Sequence, residues 1–476
     1  MPNDVPRGLT APRAVGCAGS ALVAVGGLGA GALPLSASRA HAHLGLVAVY
    51  TGLALMLLGW WWYPHGGGST RNAYLTLALW TAPLLLAPPM FSRDVYSYLA
   101  QGLMIDAGVD VYRHGPSVLG GLVAEQVPAI WQHTPSPYGP VFLVVAKVVS
   151  GVVDTHLIAG ILAMRLVAVA GLALLAAAVP VLARATGVTA SSAIGVTASS
   201  GITVRPASAL WLAALNPLVL IHLVGGAHND ALMAGLLAAG LAAAVRHRPV
   251  VATLLVAGAA LVKAPAALGL CAVAAIWATQ LPGRWAGARA ALAVGTTAAA
   301  ATVAVTTIAG TGYGWIGALS TPISSQNWSI TGVLGRWTAD LLAHDDVGAA
   351  LAISLWRWAG VLATLIVAAL VWTYRHRLGP LYGLGIVLVA LVVFGPALRP
   401  WYVIWGLIPL AAAARQPRVR RLLTLLCAAL VPIVLPDGFA VSTDRAALAV
   451  LGSAIGGLLF VAVRVSATRT PAWATR

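Results

Sequence analysis

Charge is scarce in this chain, and negative charge scarcest: 12 Asp and Glu stand against 28 Lys and Arg over 476 positions, with 8% of residues charged and 60% apolar. No water-soluble domain spreads so little charge over so much apolar mass, so a soluble enzyme or free binding module is excluded. Cysteine is almost missing as well. Cys17, Cys271 and Cys427 each stand in an apolar run without metal-ligand or disulfide spacing, which leaves no basis for thiol redox chemistry. No GxxxxGK[ST] loop occurs and no spaced His or Cys set suggests zinc, so neither metal nor cofactor is expected. A divalent ion held through Asp94 and Asp110 is the less favoured alternative. The formal charge of +16 does not indicate a nucleic-acid partner, because the basic residues are scattered through short loops rather than gathered in a patch.

What is present is a series of apolar runs, fourteen between 14 to 36 and 444 to 464, predicting an all-α polytopic transmembrane bundle of about 13 to 14 spans forming a single domain. Several runs fall short of the roughly 20 residues that a span needs, so those helices extend into their loops or are broken. The first run, although Arg7 and Arg13 precede it, reads as a span rather than a cleaved leader. With both termini cytoplasmic and 141 to 153 dipping in without crossing, most basic residues, among them Arg184, Arg205, Arg246, Arg248 and the cluster from Arg415 to Arg421, face the cytoplasm. Every acid except Asp4 then faces outward. Within the loop 184 to 207 the tandem repeat GVTASSAIGVTASSG, 187 to 201, reads as a flexible cytoplasmic connector.

Four of the twelve acids lie between Phe91 and Pro140, in a polar, aromatic loop that also carries Tyr96, Tyr98, Tyr112 and Tyr138. A loop of this kind on a largely apolar protein is where chemistry on a polar substrate belongs. Arg93 and Asp94 follow the apolar run 73 to 90, which ends at Pro88-Pro89. Asp94 reads as a general base held by Arg93, or as half of an ion pair that only seats the loop. Asp110 orients a sugar hydroxyl or caps its turn. Lys263, before Ala264-Pro265, marks a broken helix and is a candidate for an anionic phosphate, or snorkels to the interface. Arg399, in RPWYVIW, suits a phosphate through its planar fork. His228, Asn229, Asp230, Trp328, Trp401 and Tyr402 complete the polar and aromatic residues predicted at the same face. Trp401, Tyr402 and Trp405 also fit an ordinary interfacial belt.

The motifs SRDVYSYLAQG (92 to 102), DVY (110 to 112), TPSPYGP (134 to 140), NPLVLIHLVGGAHND (216 to 230) and RPWYVIW (399 to 405) occur in order along the chain. In them it resembles the actinobacterial alpha-1,6-mannosyltransferases that use polyprenyl-phosphate mannose, within the C superfamily of membrane glycosyltransferases. Asp110-Val111-Tyr112 stands where the family often has DPY, and His228-Asn229-Asp230 where it often has HNE. The resemblance implies a helical bundle in the plasma membrane, with the catalytic acid in an outer loop at Asp94. It implies inverting transfer of mannose to a lipid-linked mannan, such as lipomannan. Tyr96, Tyr98, Asp110 and Tyr112 support the acid, Arg399 and Lys263 meet the donor phosphate, and Tyr138, His228, Asn229, Asp230, Trp328, Trp401 and Tyr402 contact sugar. Two alternatives stay open: a transporter or flippase of a lipid-linked saccharide, and the same reaction with another polyprenyl-phosphate sugar. Charges near mid-membrane along a path would favour the transporter.

Overall fold

The apolar runs fold as helices. The computed structural model describes residues 9–33, 38–64, 69–193, 203–318, 328–342, 346–438 and 442–469, and among these every regular element is helical. Helix α1 (Thr10–Ala30) and α2 (Arg39–Trp62) meet along a seam of small residues, where a Cβ added at Gly19 would stand 2.6 Å from the Gly52 carbonyl oxygen. Only glycine admits so close an approach, which replaces the hydrophobic drive that lipid cannot supply. The Ser38 hydroxyl caps α2 by accepting from the His41 N–H.

Helix α3 (Thr70–Leu85) stops short of Pro88-Pro89, and α4 (Asp94–Asp106) begins after a turn at Phe91, whose φ is 63°. Beyond a loop of short turns, α5 (Pro140–Val153) packs against α4. The long α6 (Leu157–Ala193) is followed by α7 (Pro206–Ala213), which breaks at Asn216-Pro217 and bends by 45° into Pro217–Gly225. There the backbone widens, Gly226 N–H donating to the Ile221 carbonyl at 2.9 Å. Helices α8 (Asp230–Val245) and α9 (Pro249–Ala260) follow, and a break at Lys263 and Pro265 separates α9 from α10 (Leu268–Ala278). Then come α11 (Ala286–Ala309), α12 (Ile330–Leu342), α13 (Asp346–Thr373) and α14 (Pro380–Phe394). After a second break through Arg399-Pro400, α15 (Val403–Ala413), α16 (Pro417–Leu430) and α17 (Thr443–Arg469) close the chain, with Thr51 of α2 donating to the Gly452 carbonyl of α17.

Large apolar side chains face outward on α11, α13 and α17, among them Leu292, Ile308, Leu355, Trp358, Leu362 and Leu458. In water such a surface would far exceed the apolar patch that a soluble monomer tolerates, so the molecule is a multi-pass membrane protein. Among the described residues six helices, α1, α2, α6, α11, α13 and α17, are long and apolar enough to cross, or seven with the bent pair around Asn216, and six further apolar helices have 10–17 residues. The expected count of about 13 to 14 spans, several of them short or broken, is thus divided between long and short helices. Proline and glycine cut the short ones where the site lies. Helix α6 continues into the repeat that was expected to be a connector, and residues 194–202 of that loop lie outside the described residues.

Candidate active site

Four interruptions converge: the turn between α3 and α4, the segment Gly226–Asn229, the break at Lys263 and the break at Arg399. Interrupted helices leave backbone and side-chain polar groups inside the bundle that continuous helices would exclude. Asp94 opens α4, where the helix dipole favours an acid, and its N–H donates to Ser92 Oγ at 3.0 Å. Its Oδ2 lies 3.4 Å from His228 Nδ1, at ion-pair range but not aligned as a hydrogen bond. Burial pushes the Asp94 carboxyl up, and the His228 ring with the Arg399 and Lys263 charges more than offsets this and holds it at about 2. The side chain stays 23% exposed, so an ionised carboxylate remains reachable from outside the bundle.

Arg93 does not supply the partner that adjacency suggested. Its Nη2 donates to Gln126 Oε1 at 2.9 Å, and its guanidinium lies 5.5 Å from the Tyr96 ring centre. Successive residues at a helix start point about 100° apart, so Arg93 and Asp94 face different neighbours. Tyr96 turns the same way and donates to the Ala32 carbonyl at 2.6 Å.

Asp230 opens α8 with a side chain 1% exposed, and both its oxygens are occupied: Lys263 Nζ lies 2.8 Å from Oδ2, and Trp405 Nε1 donates to Oδ1 at 2.7 Å. Lys263 also stands 4.6 Å from the Tyr402 ring centre, and the Tyr402 and Trp405 rings stack at 4.3 Å. The Lys263 ammonium is therefore committed to a buried carboxylate, an arrangement that is stable only while both partners stay. Arg399 is exposed and its guanidinium has no hydrogen-bond or ion-pair partner among the described residues, although its charge acts on Asp94.

The aromatic residues form a wall. His228 stacks on Trp401 at 4.2 Å, Trp401 lies 5.0 Å from His222, and His222 meets Phe91 edge-on at 5.6 Å. Tyr98 donates to Asn229 Oδ1 at 3.4 Å and meets Tyr138 edge-on at 5.4 Å. Along this wall the ring nitrogens of His222 and His228, Asn229 Nδ2 and Trp401 Nε1 are buried without a hydrogen-bond partner among the described residues, as is Ser97 Oγ on α4. Buried polar groups are rarely left so, and as a set they can both donate to and accept from a hydroxyl-rich ligand. Among the described residues no three His, Cys, Asp or Glu side chains are grouped to hold a metal ion.

Other candidates lie apart from this cluster. Asp110 caps its own turn, accepting from the Tyr112 N–H at 2.9 Å and lying 3.3 Å from the exposed Arg113. Tyr112 donates to the Tyr138 carbonyl at 2.9 Å and so steadies the loop. Trp328, ahead of α12, is 65% exposed, and residues 319–327 before it lie outside the described residues. Sequence reasoning passed over His222 and Arg165. The second had a signal: one guanidinium alone in the apolar stretch 157 to 183.

Residues 13–279 match the family described as alpha-(1->6)-mannopyranosyltransferase, N-terminal domain, and residues 329–464 match the MptB C-terminal domain. The chain is similar to alpha-(1->6)-mannopyranosyltransferase A of Mycobacterium tuberculosis, 34% identical over 445 residues, covering 86% of this chain and 81% of that one. It is 33% identical to a probable alpha-(1->6)-mannopyranosyltransferase of Mycolicibacterium smegmatis, covering 95% and 88%, and 29% identical to alpha-(1->6)-mannopyranosyltransferase B of Corynebacterium glutamicum, covering 93% and 80%.

Proposed function

The chain belongs to the alpha-(1->6)-mannopyranosyltransferase family, and from its site we propose that it transfers mannose, with inversion, from polyprenyl-phosphate mannose to a lipid-linked mannan at the outer face of the plasma membrane. It is a multi-pass membrane mannosyltransferase that forms alpha-1,6 links. One observation carries the assignment of Asp94 as base: of the carboxylates at Asp94, Asp110 and Asp230, it alone joins the buried wall while staying reachable and unsaturated.

The acceptor hydroxyl meets Asp94 as it attacks the anomeric carbon from the face opposite the phosphate, turning a beta-linked donor into an alpha product. A carboxyl held at about 2 is a weak base, so proton transfer comes late, once the bond to the forming oxocarbenium centre has made the hydroxyl acidic. Until then the carboxylate orients that hydroxyl and stabilises the positive charge growing on the sugar. The phosphate sits at Arg399, whose fork matches two of its oxygens, and leaves as a stable anion without acid assistance. Lys263 contributes through its field while it neutralises Asp230. The unpartnered polar groups of the His228–Trp401 wall bind sugar hydroxyls, and the prenyl chain stays in lipid between helices. Both termini are cytoplasmic and 91 to 138 faces outward, consistent with the distribution of acids along the chain.

The test is transfer by purified protein from labelled polyprenyl-phosphate mannose to a short mannoside. Asp94→Asn keeps shape and removes the proton acceptor, so activity falls by roughly 10² to 10⁴. Asp110→Asn, at a turn cap, keeps most of the rate. Near-parental transfer by Asp94→Asn with a dead Asp110→Asn would move the base to Asp110, and no transfer by the parent would favour a flippase.

A further inference from the structure

Arg165 on α6 is 1% exposed, and all five of its N–H groups are used on backbone carbonyls. Nε donates to Val224 at 3.0 Å; Nη1 to Leu85 at 3.0 Å and Ala87 at 2.5 Å; Nη2 to Pro88 at 3.1 Å and Gly225 at 3.0 Å. These acceptors lie at or just past the C-terminal ends of two interrupted helices, α3 and Pro217–Gly225, where carbonyls lack a partner in their own helix and attract a cation. One planar fork thus closes both ends together, and Met90 N–H seals the joint by donating to the Gly225 carbonyl at 3.3 Å. Asp94 follows Met90 by four residues and His228 follows Gly225 by three. Each connecting stretch holds a non-glycine residue in the left-handed region, Phe91 at φ 63° and Ala227 at φ 51°, a conformation that persists only where its surroundings impose it.

We propose that Arg165 is a positioning residue for mannosyl transfer: by holding these two helix ends on one guanidinium it fixes the approach of Asp94 to His228. The proposal rests on the reading of Asp94 as base. Lysine cannot replace it fully, since an ammonium has three protons for five carbonyls, and methionine satisfies none.

The joint can be measured without activity. In a full-length background with Cys17, Cys271 and Cys427 changed to Ala, the pair Met90→Cys and Gly225→Cys spans it, and a Cβ at Gly225 meets nothing closer than the Met90 methyl at 3.8 Å. Copper phenanthroline oxidation, read by mass spectrometry of the linked peptide, gives a linked fraction that Arg165→Met lowers at least threefold. Without the cysteine pair, Arg165→Met lowers kcat about 10²-fold, as expected for a misplacement near 1 Å, and leaves the donor KM within about threefold. Arg165→Lys gives intermediate values in both assays and serves alone if Arg165→Met does not fold. Unchanged linkage, unchanged kcat, or a loss confined to KM overturns the proposal. Should Asp94→Asn prove active, the base reading fails, and the linkage assay still judges whether Arg165 holds the joint.

Discussion

Replacing His228 by Gln tests the electrostatics of the site most directly. An ordinary aspartic acid titrates at 3.8 and Asp94 is held at about 2, which at 1.36 kcal/mol per unit favours the carboxylate by about 2 kcal/mol. Because the folded value is depressed, this stabilisation is fully present above the unfolded value near 4 and is lost as pH falls through about 2. The parent enzyme therefore shows no acid limb from Asp94 above about pH 4. Burial works against the carboxylate, and the His228 ring is the foremost influence opposing it, ahead of Arg399 and Lys263. His228→Gln leaves burial opposed by those two charges alone, so the carboxyl rises from about 2 and the acid limb of kcat/KM moves up by roughly 2 to 3 units, into the range from about pH 4 to 5. At pH 7.5 the carboxylate is still ionised, so the rate stays within about tenfold of the parent. The assay is kcat/KM for mannosyl transfer from pH 3.5 to 8, where a phosphodiester donor does not itself titrate. A limb that stays in place refutes the reasoning, because the His228 ring would then not be what holds the Asp94 carboxyl low.

Lys263→Met leaves Asp230 buried and unpaired, so thermal unfolding in detergent should report a loss of about 3 to 5 kcal/mol, most of it recovered in the double variant with Asp230→Asn. Arg399→Lys keeps the charge and loses the fork, weakening donor binding by calorimetry by about 1 to 3 kcal/mol; unchanged binding in Arg399→Ala removes Arg399 from the phosphate site. A single cysteine at Ser117 should react with an impermeant maleimide from outside whole cells and one at His247 should not, and the reverse pattern overturns the proposed orientation.

Much of the architecture is legible along the chain because it depends on local composition. The apolar runs, Pro88-Pro89 closing α3, Pro265 after Lys263 and Pro400 after Arg399 each announce a helix or its interruption without reference to anything distant. Pairings are not local in this way. Asp94 meets His228 across 134 positions, and Asp230 takes one partner 33 residues away and another 175 away. Sequence adjacency misleads in the same place: Arg93 beside Asp94 reads as an ion pair, and the helix that begins between them turns the two apart. Arg165 shows the same division. Its isolation in an apolar run marks it as a residue needing partners, yet those partners are carbonyls, which every residue carries and no sequence pattern distinguishes. Side chains and breaks can therefore be named one by one from the chain. Whether four breaks meet at one point is decided by how small-residue seams, such as Gly19 against Gly52, let helices approach, and that belongs to packing.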